Sequence, residues 1–177
     1  MSIRGLNRMA HENQTEHEQD VAKLRELIKD IDFGMLTTVA DDGTLHSRPM
    51  SNNKEVEFDG DLWFFTDDHS PKVEEVRHEH QVNVTFARPD TQSYVSMSGT
   101  AQVVRDKEKI KQWWKPELKV WFPDGPDAPG IALLKVTVNK AEYWDATASK
   151  VTAAVQFVKG LASGERPKLG ENKKIEL

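Results

Sequence analysis

The chain has 177 residues, no cysteine and a formal net charge of −5, from 24 basic and 29 acidic side chains. The lack of cysteine excludes a disulfide framework, a thiolate metal site and a cysteine nucleophile, and it fits a reducing cytoplasm. The acidic balance argues against a nucleic-acid surface, and no apolar run approaches the roughly 18 residues that cross a membrane. The N-terminus also lacks the apolar segment of a signal peptide. We therefore expect one domain in a cytoplasmic protein that binds neither nucleic acid nor membrane.

The first elements are predicted to be one helix and a β-hairpin. Residues 1–14 are polar and are expected to form a segment of their own, whereas apolar residues recur at helical spacing over 15–32. Residues 33–40 are rich in β-branched and apolar side chains, and the Asp41-Asp42-Gly43 turn that follows is typical of a hairpin. Residues 44–51 are therefore expected to return as the partner strand.

Strands and a short helix are predicted next. Residues 62–66 (LWFFT) read as a strand that leads into Ser70-Pro71, a strong helix start because serine and proline favour the first positions of a helix. That helix is expected to end near His78. Residues 81–87 alternate apolar and polar side chains as a half-buried strand does. Residues 93–104 are predicted to be another strand, with a bulge or bend at Gly99.

The second half begins with a helix capped by Asp106, followed by a long loop over 114–130 that is rich in proline and aromatic residues. Residues 131–138 predict a strand, extended by 141–144 after a turn, and residues 151–161 predict a last helix. The order of elements and the short links predict a mainly β (α+β) fold, an antiparallel barrel of about six strands with peripheral helices. The expected domain spans 15–162, and 163–177 is expected to be a polar tail.

Two short segments favour an anion-binding site. The start of the helix at Ser70-Pro71-Lys72 offers free N–H groups, a hydroxyl and a positive charge. Arg48 lies in an apolar strand, and arginine is well suited to bind phosphate. If strands 44–51 and 62–66 are neighbours, Arg48, Thr66, Ser70 and Lys72 converge. An ordinary capped helix and a solvent-facing arginine remain the alternative. We expect no metal at His78-Glu79-His80, because positions i and i+2 of a helix do not face each other.

Four segments together carry a resemblance to a known family: HSRPM (46–50), LWFFTDDHSPK (62–72), VSMSGTAQVV (95–104) and AEYWD (141–145). With them, the chain resembles the general stress protein branch of the pyridoxamine 5'-phosphate oxidase-like flavoproteins over residues 15–162. The resemblance implies an FMN-binding split barrel, and a homodimer with flavin sites at the interface.

The resemblance also implies which residues bind FMN, or the larger FAD. The expected contacts to the phosphate, the flavin ring and, across the dimer, the partner's flavin come from Arg48, Pro49, Met50, Phe65, Thr66, Ser70, Lys72 and Trp144. The aromatic residues of the long loop add a further hypothesis, because aromatic rings stack on flat ligands. We expect Trp114 or Trp121 to contact the flavin or its pocket, and a hydrophobic dimer contact is the alternative. The sequence does not decide which of these two tryptophans, Trp113 or Phe122 faces the flavin.

One departure bears on the reaction. Pyridoxamine-phosphate oxidases carry arginine and histidine after the residue that Trp144 resembles, whereas here the segment is DATASK (145–150). Oxidation of pyridoxamine phosphate is therefore not expected. A flavin-dependent oxidoreductase of unknown substrate, with no identifiable catalytic side chain, is one hypothesis. A non-catalytic flavin sensor, carrier or stress-response protein is the other, and deazaflavin or haem in the same fold is a less favoured third.

Overall fold

The computed structural model describes residues 3–146 and 170–177, with side chains from residue 14 onward. Within those residues the helices are α1 (Ile3–Ile28), α2 (Pro71–His78) and α3 (Lys107–Gln112), with a short 3-10 helix at Pro116–Val120. The strands are β1 (Phe33–Val39), β2 (Leu45–Ser51), β3 (Asp61–Asp67), β4 (Gln81–Arg88), β5 (Ser93–Val104), β6 (Ile131–Asp145) and β7 (Glu171–Glu176). The helix predicted over 151–161 lies outside the described residues.

The described strands form one antiparallel sheet with the order β2-β1-β4-β5-β6-β3. The first half of β6 pairs with β3 and its second half pairs with β7. The two ends of the order, β2 and β3, approach each other without hydrogen-bonding. The sheet therefore curls into a barrel that stays open between these two strands, and the predicted mainly β antiparallel class is confirmed.

The core lies between the concave face of the sheet and α1. Alternation along the strands turns every second side chain inward, and these inward residues include Leu36, Phe64, Val84, Phe86, Met97 and Leu134, all fully buried. Helix α1 closes one side with a stripe at helical spacing that includes Val21, Leu24 and Ile28. The hairpin turn forms as predicted, because Gly43 adopts a φ of 80° that disfavours other residues.

The structure differs from the predicted elements at both ends of the chain. Helix α1 begins at Ile3, so it runs through the segment 1–14 that was expected to be separate. Residues 171–176 were expected to belong to a polar tail, but they form β7, which buries Ile175 and bonds the Tyr143 hydroxyl to Glu171 at 2.6 Å. The turn predicted between residues 138 and 141 does not form. Instead, β6 continues through Asn139 as one strand.

A bulge at Gly99 keeps β5 and β6 paired over this length. Ser98 lies opposite Lys140 and Gly99 opposite Val138, so Asn139 is the extra residue. A Cβ on Gly99 would lie 2.0 Å from the Thr137 carbonyl oxygen. The predicted irregularity at Gly99 is confirmed, and its cause is the close approach of the β6 backbone.

Candidate functional site

A groove of about 830 Å³ lies where β2 and β3 approach each other. Of the residues singled out from the sequence, seven line it: Pro49, Met50, Phe65, Thr66, Lys72, Trp121 and Phe122. Each wall comes from a different element, namely β2, β3, the start of α2 and the loop after α3. The groove therefore joins segments that are far apart in the chain, and its volume suits a small-molecule ligand.

The end of β3 and the start of α2 form one tight unit beside this groove. Thr66 is buried, and its hydroxyl lies 3.4 Å from the Ser70 hydroxyl. Ser70 occupies the N-cap position as predicted, but its hydroxyl donates to the Asp67 carbonyl at 2.7 Å and caps no helix N–H group. The first turn of α2 thus keeps its positive dipole end free of a side-chain cap.

Arg48 does not line the groove itself, and it does not point freely to water. Its guanidinium donates to Glu75 Oε2 at 2.7 Å and also bonds the Thr38 hydroxyl. Thr38 in turn donates to Glu75 at 2.5 Å, and His46 Nδ1 lies 3.0 Å from the other carboxylate oxygen. The arginine is therefore tied to β1 and α2 through a polar network that the sequence analysis did not predict.

Lys72 adds a second positive charge near this network. Burial, and then the nearby Arg48 guanidinium, lower the pKa of Lys72 below its ordinary value. Among the described residues, Lys72 forms no ion pair, whereas Arg48 pairs with Glu75. Burial works against ionisation of Glu75, but hydrogen bonds from Thr38 and His46 and the charge of Arg48 hold its pKa below normal. The carboxylates of Asp67 and Glu75 offset part of the lowering at Lys72, yet the pKa of Lys72 stays below its ordinary value. A half-buried lysine without an ion pair beside a fixed arginine is an arrangement that favours an anion.

Aromatic side chains form the wall opposite. The ring of Trp114 packs between Phe65 at 6.1 Å and Phe122 at 6.4 Å, both edge to face. Trp121 and Phe122 line the groove, and Trp121 is 58% exposed. Trp114 thus supports the wall from behind. Trp113 packs instead against Trp63, with 5.1 Å between ring centroids.

Trp144 lies away from the groove. It sits near the end of β6, half exposed, in a separate depression of about 330 Å³ that it shares with Tyr94 and Asn172. A single chain does not bring Trp144 to the other predicted residues. Its contact with a partner's ligand stays a prediction.

Acidic side chains also line the groove, namely Asp32, Glu55, Asp67 and Glu117. Among the side chains of residues 14–146 and 170–177, no group of three histidine and acidic residues is placed to hold a metal ion. In the same part of the chain, no helix is both long and apolar enough to cross a membrane. Cationic and aromatic side chains thus meet at the groove, an arrangement that suits a flat, anionic ligand.

Comparison with known proteins points to one family. Residues 19–168 match the model of the family described as pyridoxamine 5'-phosphate oxidase like. Protein bli-3 of Neurospora crassa is 27% identical over 157 residues, which cover 84% of this chain and 75% of that protein.

Solved structures agree with the fold. A candidate general stress protein 26 from Jannaschia sp. CCS1 superposes with a TM-score of 0.71 at 20% identity, over 94% of this chain and 99% of that one. The general stress FMN/FAD binding protein of Xanthomonas citri superposes with a TM-score of 0.62 at 25% identity, over 72% of this chain and 89% of that one. These matches confirm the split-barrel fold class that the motifs predict.

Proposed function

The chain belongs to the pyridoxamine 5'-phosphate oxidase-like family, and from this premise we propose that it binds FMN, or the larger FAD, in the groove between β2 and β3. The observation that carries the proposal is the pair of cations, Arg48 and Lys72, next to a groove with aromatic walls. The FMN/FAD-binding relative from Xanthomonas citri supports the same ligand class.

The residues present fit the two parts of this ligand. Lys72, Arg48 and the start of α2 would hold the phosphate, with the Ser70 hydroxyl close to the same turn. Pro49, Met50, Phe65 and Thr66 would contact the ring, and Trp121 would cover it; these roles are part of the proposal. The bound flavin would supply the redox chemistry, while the chain binds it, orients it and excludes water.

The proposed assembly is a homodimer with the flavin near its interface. Phe33 and Met35 project from β1 and are 53% and 42% exposed, so the outer face of the sheet carries apolar side chains without cover. Phe33 also lines the groove. A second copy on this face would bury these side chains and would allow the partner's Trp144 to reach the flavin.

The proposed activity is that of a cytoplasmic flavin-dependent oxidoreductase that does not oxidise pyridoxamine phosphate. The segment 145–150 has neither the arginine nor the histidine that would bind that substrate. The same observation favours a second candidate, a flavin-binding sensor, carrier or stress-response protein. Reoxidation of the reduced protein by one acceptor of a broad panel would support the enzyme. A change in proteolysis pattern between oxidised and reduced protein would support the sensor.

Titration of the flavin-free protein with FMN, FAD and riboflavin tests the proposal. We expect FMN or FAD to bind much more tightly than riboflavin, because only the first two carry phosphate. Riboflavin binding as tightly as FMN would contradict the phosphate anchor. No binding of any of the three would contradict the flavin proposal as a whole.

FMN affinity is also expected to fall at high pH, and earlier than for a lysine with an ordinary pKa. The pKa of Lys72 is lowered, so its charge is lost as pH rises through that lowered value, while the phosphate stays a dianion above about pH 7. FMN titrations from about pH 7 to about pH 10.5 measure the loss, with riboflavin as the reference for the ring. Lys72→Arg should abolish the pH dependence because arginine stays charged. The same fall in that variant would show that another group titrates.

A further inference from the structure

Glu75 is the centre of the polar network that holds Arg48. It is one of the three buried residues of α2, with 8% of its surface exposed, and it faces the sheet. Its carboxylate accepts hydrogen bonds from Thr38 and Arg48, and its other oxygen is within hydrogen-bonding distance of His46 Nδ1. The preceding residue, Glu74, is exposed and pairs with Arg77 on the same helix.

The geometry of the network restricts the arginine. A free arginine side chain has several rotatable bonds, and a ligand that binds it must pay for their ordering. Here Glu75 and Thr38 each accept a hydrogen bond from one terminal nitrogen of Arg48, so the guanidinium plane is set before any ligand arrives. A guanidinium has five N–H donors, so donors remain for a second acceptor.

Resting on the proposed function, we propose that Glu75 is a positioning residue that fixes the Arg48 guanidinium beside Lys72 and thereby selects phosphorylated flavins over riboflavin. Glu75 touches neither the groove nor, in this proposal, the ligand. Its action is through Arg48 alone.

A purely electrostatic role would have the opposite sign. A carboxylate near a phosphate repels it, so loss of the Glu75 charge would tighten FMN binding if repulsion were its main effect. Loss of positioning weakens FMN binding instead, because the arginine is then free to turn away. The direction of the change therefore separates the two roles.

The test is the FMN and riboflavin affinities of Glu75→Gln, which has nearly the same shape without the charge. We expect FMN affinity to fall about tenfold, the size of one lost charge-assisted hydrogen bond, with riboflavin affinity unchanged. Glu74→Gln removes the same charge from the adjacent position and is expected to change neither affinity. Unchanged riboflavin binding also shows that the groove of Glu75→Gln is intact.

A double-mutant cycle with Arg48→Ala completes the test. If Glu75 acts through Arg48, adding Glu75→Gln to Arg48→Ala should not lower the FMN-to-riboflavin affinity ratio further. Additive losses, an unchanged or higher ratio in Glu75→Gln alone, or equal losses for both flavins would each overturn the inference. Those results leave the proposed function standing as long as the unaltered chain prefers FMN. Equal binding of FMN and riboflavin by the unaltered chain would overturn both.

Discussion

Arg48→Ala is expected to weaken FMN binding by about a hundredfold to a thousandfold, and Lys72→Ala by about tenfold to a hundredfold. Each variant removes a charge from the proposed anion site, which is partly buried, and a charge-assisted contact there contributes about 1.5–3 kcal/mol. The arginine has the larger expected effect because its loss also leaves the Glu75 carboxylate without its cationic partner. That unpaired negative charge would repel the phosphate.

Isothermal titration of the flavin-free variants with FMN and riboflavin measures these losses. Riboflavin affinity should stay within about twofold of that of the unaltered chain, because the ring contacts remain. A twofold change is much smaller than the tenfold change that corresponds to about 1.4 kcal/mol. Lys107→Ala is the matched control, since Lys107 is an exposed lysine on α3 that does not line the groove. Full FMN affinity in both site variants would place the phosphate elsewhere. Parallel losses of riboflavin affinity would indicate damage to the fold.

Gly99→Ala is expected to destabilise the fold by about 4 kcal/mol or more, or to prevent folding. The new methyl group would meet the Thr137 carbonyl oxygen at 2.0 Å and the Val138 Cα at 2.9 Å. Both atoms belong to the β6 backbone, so no side chain can rotate away to make room. Relief requires β5 and β6 to separate at the bulge, in the middle of the sheet.

Urea unfolding followed by tryptophan fluorescence measures this change. Gln102→Ala serves as the control, because Gln102 is an exposed residue of the same strand, and it should shift the free energy of unfolding by no more than about 0.5 kcal/mol. A Gly99→Ala variant as stable as the control would mean that the β6 backbone does not approach Gly99 of β5 as closely as the structure shows.

The start of α2, where we propose that the phosphate binds, was predictable because its signals are local. A helix start is encoded by adjacent residues, so Ser70-Pro71 predicted α2, which begins at Pro71. Glu75 was not predictable in this way. Glu74 and Glu75 are adjacent and identical in type, and α2 has only 8 residues, too few for its buried face to be read from periodicity. Only the packing of α2 on β1 distinguishes the exposed carboxylate from the buried one.

The aromatic wall of the groove was likewise predictable only in part. The sequence predicted a structured loop rich in tryptophan, but it left open which ring faces the groove. The structure places Trp121 and Phe122 on the groove and Trp114 behind Phe65. That difference depends on how the loop folds back onto β3, which no local pattern encodes.

The sequence by itself determined the elements whose signals are local: the β1–β2 hairpin with its glycine, the alternation of β4, the start of α2 and the bulge at Gly99. Tertiary structure decided which distant segments meet. Strand β7 is almost wholly polar in sequence and becomes a strand because β6 offers it an open edge and a place to bury Ile175. The groove exists because the curl of the sheet brings β2 to β3. Turns and helix starts depend on residues that are adjacent in the chain, whereas burial, sheet closure and the hydrogen bonds between distant strands depend on the whole chain at once.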